Sequence, residues 1–311
     1  MENGRVLHGA FMGYRTWGSL DASGSNAIIL PSYYSGTCDS YAPWVEEGPS
    51  RIFDPSRYCV IAYDQLGAGH SSKPSACGGF DAWPGVTCAD SVRAAHRMLQ
   101  ALGIHNAQLV MGWSMGGMQA FAWASLFPGF ARSALALCAT PACEPINQVF
   151  LRSIRPMLDM AVREGSTGAR WDALKAFGSA YAGWAYSPEF FNTAEYEQLG
   201  YSSVQNVMDG WAQDHACMDA QDLLAQLDCW LNSSTPLQKD AASPTQMLAM
   251  PCSTDRYFPA ESRSAEELFR NCRTQVLEST LGHIAGRPGI REQETRVIRA
   301  AALQLLDKPG H

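Results

Sequence analysis

Gly112-Trp113-Ser114-Met115-Gly116-Gly117 follows a short apolar run, Gln108 to Met111, and leads into a second apolar run with helical spacing, Gln119 to Leu126. A strand that turns at once into a helix bends too sharply to accept a Cβ at the positions flanking the turn. Glycine at 112, 116 and 117 meets that demand. The bend lifts the Ser114 hydroxyl above the sheet and sets the Met115 amide at a helix N-terminus, where it can face a developing negative charge. Gly-x-Ser-x-Gly alone arises by chance; a strand before it and a helix after it give it weight.

Outward from this turn, the first half of the chain alternates apolar runs with helical periods. Asn26 to Leu30, Tyr58 to Tyr63 and Ser133 to Leu137 are continuous apolar stretches, as expected of strands covered on both faces. Between the strands at 58–63 and 108–111, Val92, Ala95, Met98, Leu99 and Leu102 recur at three- and four-residue spacing. They predict an amphipathic helix over Asp90 to Leu102, closed by Gly103. Gly9 to Trp17 alternates loosely and suggests an antiparallel leading strand. The pattern is α/β, a mostly parallel sheet flanked by helices.

From 145 to 244 the texture becomes helical and aromatic-rich, with Trp171, Phe177, Tyr181, Trp184, Tyr186, Phe190, Phe191, Trp211 and Trp230. This reads as an inserted helical cap (145–244) on a core made of 1–144 and 245–311. Most of these aromatics are expected to pack against one another and a few to line a pocket beneath the cap. The sheet pattern resumes at Gln246 to Met250, followed by an expected helix over about 260–272, a strand near Gln275 to Leu277 and a final helix over about 291–306.

Of the 311 residues 46% are hydrophobic and 17% charged, the composition of a folded protein able to bury an enclosed site. A net charge of -7 without any Lys/Arg run excludes the electrostatic footprint of a nucleic-acid binder. No apolar N-terminal segment or membrane-length stretch is present, which predicts a soluble cytoplasmic protein without a membrane partner. Ten cysteines without a Cys-x-x-Cys pair point to reduced thiols and to no metal. A second glycine-rich turn, Gly67-Ala68-Gly69, lacks the third glycine and the immediate helix of a dinucleotide site, so no bound cofactor is expected.

A hydroxyl needs a base to become a nucleophile. Where a serine turn of this kind opens a helix, the acid and the histidine come later, on loops after late strands. Asp255, in Pro251 to Pro259, and His283, in Leu281 to Gly286, stand at those places. His8 and His311 are near the termini, His96 and His105 fall in or just after the 90–102 helix, His215 lies in the cap, and His70 follows a glycine turn; each reads as surface, rim or packing. A second amide donor is expected from Pro31 to Thr37, with Tyr34 preferred over Tyr33. Tyr33, Trp113 and Tyr186 are the aromatic candidates for substrate contact.

With Tyr14 to Gly18, Gly48-Pro49, Phe53 to Tyr58, Trp113 to Gln119 and Ser253 to Pro259 in place, the chain resembles the homoserine O-acetyltransferase family over nearly its whole length. The resemblance implies an α/β-hydrolase core, a helical cap that often forms a homodimer, and a Ser114–Asp255–His283 triad. It also implies that Arg155, after Asn147 and Phe150, binds a substrate carboxylate; an ordinary i,i+4 pair with Asp159 is the alternative. Ile284 stands where the acetyltransferases carry Asp, and Ala185-Tyr186-Ser187 stands where they carry Tyr-Arg-Ser. Pro31 to Gly36 replaces their His-Ala-Leu-Thr-Gly loop. These departures are similar to the hydrolase-like branch.

The expected chemistry is serine-dependent acyl transfer, hydrolysing an ester or thioester of a small to medium substrate. O-acyl transfer from acyl-CoA as co-substrate to a hydroxyl is the alternative, with a cofactor-free lyase or cyclase, or a ligand-binding protein on the same fold, behind it.

Overall fold

The computed structural model describes residues 1–236, 243–262 and 264–307. Residues 237–242 of the expected cap, Arg263 of the expected 260–272 helix, and 308–311 with His311 lie outside the described residues.

Seven strands form one sheet in the order β1-β3-β2-β4-β5-β6-β7. They are β1 Tyr14–Trp17, β2 Ala27–Pro31, β3 Cys59–Tyr63, β4 Ala107–Trp113, β5 Ala131–Leu137, β6 Gln246–Met250 and β7 Cys272–Thr274. Only β1 runs antiparallel, pairing Tyr14 with Tyr63 and Trp17 with Val60; the other pairings are parallel. Every residue of β2 and β3 is buried, which explains runs without alternation. The helix expected over 90–102 spans Cys88–Ala101, opened by Thr87, whose hydroxyl accepts from the Asp90 amide at 3.2 Å. Gly103 then takes a φ of 76° to end it.

Between β5 and β6 lie the helices Pro145–Arg163, Thr167–Ala185, Val204–Ala216 and Ala220–Asn232, with the short Pro188–Asn192. The two ends of this insertion are stitched together at its base: the Cys143 amide donates to Ser233 O (3.0 Å) and the Thr235 amide to Pro141 O (2.7 Å). Phe150, Phe177, Tyr181, Tyr186, Phe190 and Trp230 are buried inside it, whereas Trp171 is exposed. The Ala220–Asn232 helix grips the loop after β2, where Tyr34 Oη donates to Leu223 O (3.1 Å) and the Ser35 amide to Gln226 Oε1 (2.8 Å).

The C-terminal third differs from expectation in two places. The helix over 260–272 is reduced to Ser264–Leu268, and the last strand sits three residues earlier, at Cys272–Thr274. The Met247 amide already donates to Asn271 O at 3.2 Å, so the chain has turned into the sheet before a longer helix could close. Leu277 adds only an isolated bridge to Cys252. The final helix is Glu292–Asp307.

Candidate active site

Ser114 adopts φ 59° and ψ -127°, a strained conformation for a residue with a side chain. The strain is held from both sides. The Ser114 amide donates to Leu137 O (2.9 Å), locking it to the end of β5, and Ser114 O accepts from the Met118 amide (3.0 Å), beginning the Met115–Leu126 helix. The glycines are required by packing: a Cβ on Gly112 would strike the Gly116 backbone, and one on Gly116 would strike Pro31 O. The serine turn and the loop after β2 are therefore in backbone contact.

His283 Nε2 lies 2.9 Å from Ser114 Oγ, and His283 Nδ1 lies 2.7 Å from Asp255 Oδ2. All three residues are buried. Asp255 Oδ1 accepts from the amides of Tyr257 (3.1 Å) and Phe258 (3.0 Å), which fixes the carboxylate. Because a carboxylate only accepts, Nδ1 carries the ring proton, leaving the Nε2 lone pair for the serine hydroxyl. The imidazole is clamped between Tyr257 (4.4 Å) and Trp113 (5.0 Å), whose Nε1 donates to His283 O at 3.0 Å.

The loop at 31–37 is anchored by Ser32 and Pro31. Ser32 O accepts from Gln119 Nε2 (2.9 Å), Ser32 Oγ from the Gln65 amide (2.9 Å), and Pro31 O from Tyr41 Oη (2.7 Å). Ser35 sits at φ 58°, so the chain reverses there. Among the described residues the amides of Tyr33, Tyr34 and Met115 have no hydrogen-bond acceptor, so each is open to a ligand.

Ser114 and His283 open into a cavity of about 370 Å³ lined by Tyr33, Tyr34, Ser35, Gly36, Ser40, Trp113, Tyr181, Trp211, Asp214, His215, Met218, Tyr257, Ile284 and Arg287. Tyr33 and Trp113 thus line the cavity that holds Ser114. Two expected contacts do not. Arg155 is absent from the lining because its guanidinium is committed to both carboxylate oxygens of Asp228 and, at 3.4 Å, to Asp159. Tyr186 is buried away from it, stacked on Phe190 at 4.0 Å. Asn147 also serves the fold, donating to Tyr257 O and accepting from the Glu144 amide at 3.0 Å.

Of the cap aromatics expected to line a pocket, Tyr181 and Trp211 do so; His215, Asp214 and Met218 beside them carry no such signal in the sequence. Trp211 and His215, one turn apart on Val204–Ala216, face the site with Asp214, Met218, and the core's Ile284 and Arg287. The one local trace was the i,i+4 spacing of Trp211 and His215, which on a half-buried helix marks a common face.

Two groups of potential metal ligands occur among the described residues, Cys138 with Asp255 and His283, and Cys38 with Asp39 and His70. Neither offers a ready thiolate: burial raises the Cys138 thiol well above its ordinary range and pushes Cys38 up to about 12.

The strand–serine–helix turn, the parallel sheet and the interposed helices define an α/β-hydrolase. The model of the alpha/beta hydrolase fold family matches residues 34–161. An ethyl acetate hydrolase of Pseudomonas veronii is 31% identical, over 100% of this chain and 94% of that protein. A homoserine O-acetyltransferase of Chlorobium chlorochromatii is 38% identical over 45% of this chain and 41% of that one. The solved structure of the acetyl esterase MekB superposes with a TM-score of 0.91 at 29% identity, covering 99% of this chain and 94% of that one. The chain belongs to the α/β-hydrolase fold family, with esterases and homoserine O-acetyltransferases among its relatives, and is an enzyme of ester hydrolysis or acyl transfer.

Proposed function

We propose that the chain hydrolyses short-chain esters, acetates foremost, through an acyl-enzyme on Ser114. The observation that carries this reading is the continuous relay Asp255–His283–Ser114, at 2.7 and 2.9 Å, at the floor of an aromatic cavity. Ser114 Oγ attacks the ester carbonyl carbon while His283 Nε2 takes its proton, and the amides of Tyr34 and Met115 receive the charge on the carbonyl oxygen. His283 then returns the proton to the departing alcohol. Water, deprotonated by the same ring, releases the acid and restores the serine.

Full-length similarity to an ethyl acetate hydrolase supports the substrate class. Water is favoured over homoserine as acceptor because the Arg155 charge is neutralised by Asp228 and Asp159, and Ile284 presents an apolar side chain beside the histidine. Arg155 is therefore committed within the fold and offers a substrate carboxylate no partner. The proposal includes no bound cofactor.

A serine-reactive phosphonate should add once to the wild-type chain, seen by intact-protein mass spectrometry, and not to Ser114→Ala, which should also lose ethyl acetate turnover by at least about 10³-fold. Labelling that survives in Ser114→Ala, or turnover that does, would overturn the covalent route.

A further inference from the structure

His215 is 5% exposed and lines the same cavity as Ser114. Its Nδ1 lies 2.8 Å from Trp211 O. A carbonyl oxygen only accepts, so Nδ1 must carry the proton, and in the neutral ring Nε2 is a bare lone pair. That Nε2 is buried and has no hydrogen-bond partner among the described residues. Aromatic rings pack around the imidazole, Trp211 stacked at 5.7 Å, Phe177 at 5.4 Å and Tyr181 at 5.8 Å, and they fix its position. Burial among them pushes the His215 pKa below its ordinary value of 6.5, which keeps the ring neutral and Nε2 an acceptor.

An orphaned buried acceptor is costly to leave unmade, and few native side chains carry one without reason. The cavity's other walls carry donors, the Tyr257 hydroxyl among them, but among the described residues none makes a hydrogen bond to this Nε2. We propose that His215 Nε2 accepts a hydrogen bond from a free hydroxyl of the substrate, so that the preferred esters are hydroxylated ones, partial esters of diols or polyols. This rests on the esterase reading above and deepens it. A site that pairs a substrate hydroxyl discriminates strongly against the analogue lacking it, because the analogue leaves the buried acceptor bare. His215 is then a specificity-determining residue on the cap, opposite a triad that belongs to the core.

The test compares monoacetates of ethylene glycol, 1,3-propanediol and 1,4-butanediol with the alkyl acetates in which methyl replaces each hydroxyl. In the wild type, kcat/KM should favour the hydroxylated member at one chain length. In His215→Phe, which keeps a planar ring without the acceptor, that ratio should fall roughly tenfold. His215→Gln, whose amide oxygen can accept, should recover part of it. A ratio unchanged in His215→Phe, or a wild type that disfavours every hydroxylated ester, overturns the proposal and assigns the ring to packing or to a bound water. Calorimetric titration with the parent diols and alkanols reads the same preference without turnover. A chain that hydrolyses no ester and resists the phosphonate therefore sinks the esterase reading, while the calorimetric ratio still decides the role of His215.

Discussion

The two oxygens of Asp255 have different tasks, and the division makes a sharp prediction. Oδ1 is occupied by the amides of Tyr257 and Phe258, whereas Oδ2 receives the His283 proton. In Asp255→Asn the amide oxygen must stay with the two backbone donors, which turns its NH2 toward Nδ1. That forces the ring proton to Nε2, where it points at Ser114 and the base is lost. Ester kcat should drop about 10³- to 10⁴-fold while the thermal midpoint moves little, since volume and backbone contacts are kept. Steady-state kinetics alongside circular dichroism checks it. A loss under tenfold would mean that Asp255 does not set the tautomer. Ser114, Asp255 and His283 were legible in the sequence because each is fixed locally: a glycine-flanked turn, and two loops that directly follow strand-like runs.

At the scale of the element, what could be read followed the same division between local and distant causes. The buried strands β2 to β6 were visible as unbroken apolar runs, since parallel strands covered on both faces leave no alternation to hide. β7 was placed three residues late because its pairing begins in a loop, at Asn271, where no periodicity marks it. For Arg155 the i,i+4 alternative, Asp159, is legible locally and forms at 3.4 Å, whereas the bidentate partner that withdraws it from substrate, Asp228, lies 73 positions away on another cap helix and shares no local pattern with it. The pair ties Pro145–Arg163 to Ala220–Asn232, and this predicts the outcome of Arg155→Ala. Losing a partly exposed bidentate pair should cost roughly 1 kcal/mol and lower the thermal midpoint by about 2–4 °C. KM for a neutral acetate should change less than about twofold. A large rise in KM without loss of thermal stability would return Arg155 to the substrate site.

For the molecule as a whole, two histidines whose pKa values are lowered by desolvation, one buried and one partly buried, set the response to acid. His215 sits among cap aromatics, and His96 is stacked on Phe127 at 3.8 Å in a second cluster with Trp123 and Phe130. Desolvation lowers both pKa values from 6.5 in the folded chain. The unfolded chain, with exposed imidazoles, therefore binds more protons as the pH falls through 6.5, so stability is complete above that value and is lost toward the lowered folded pKa values. Glu294, paired with Arg291 (2.5 Å) and held below 4.5, carries the same sign at lower pH: its stabilisation is present above 4.5 and fades as the pH falls through its folded value. The thermal midpoint should consequently decline from pH 7 to pH 5.5, before Glu294 begins to titrate. In a His96→Phe/His215→Phe double variant that early decline should flatten, while the steeper loss below pH 4.5 should stay. Scanning calorimetry at half-unit steps of pH measures both limbs. An early limb of equal slope in the double variant would show that other groups, and not these two rings, take up the first protons on unfolding.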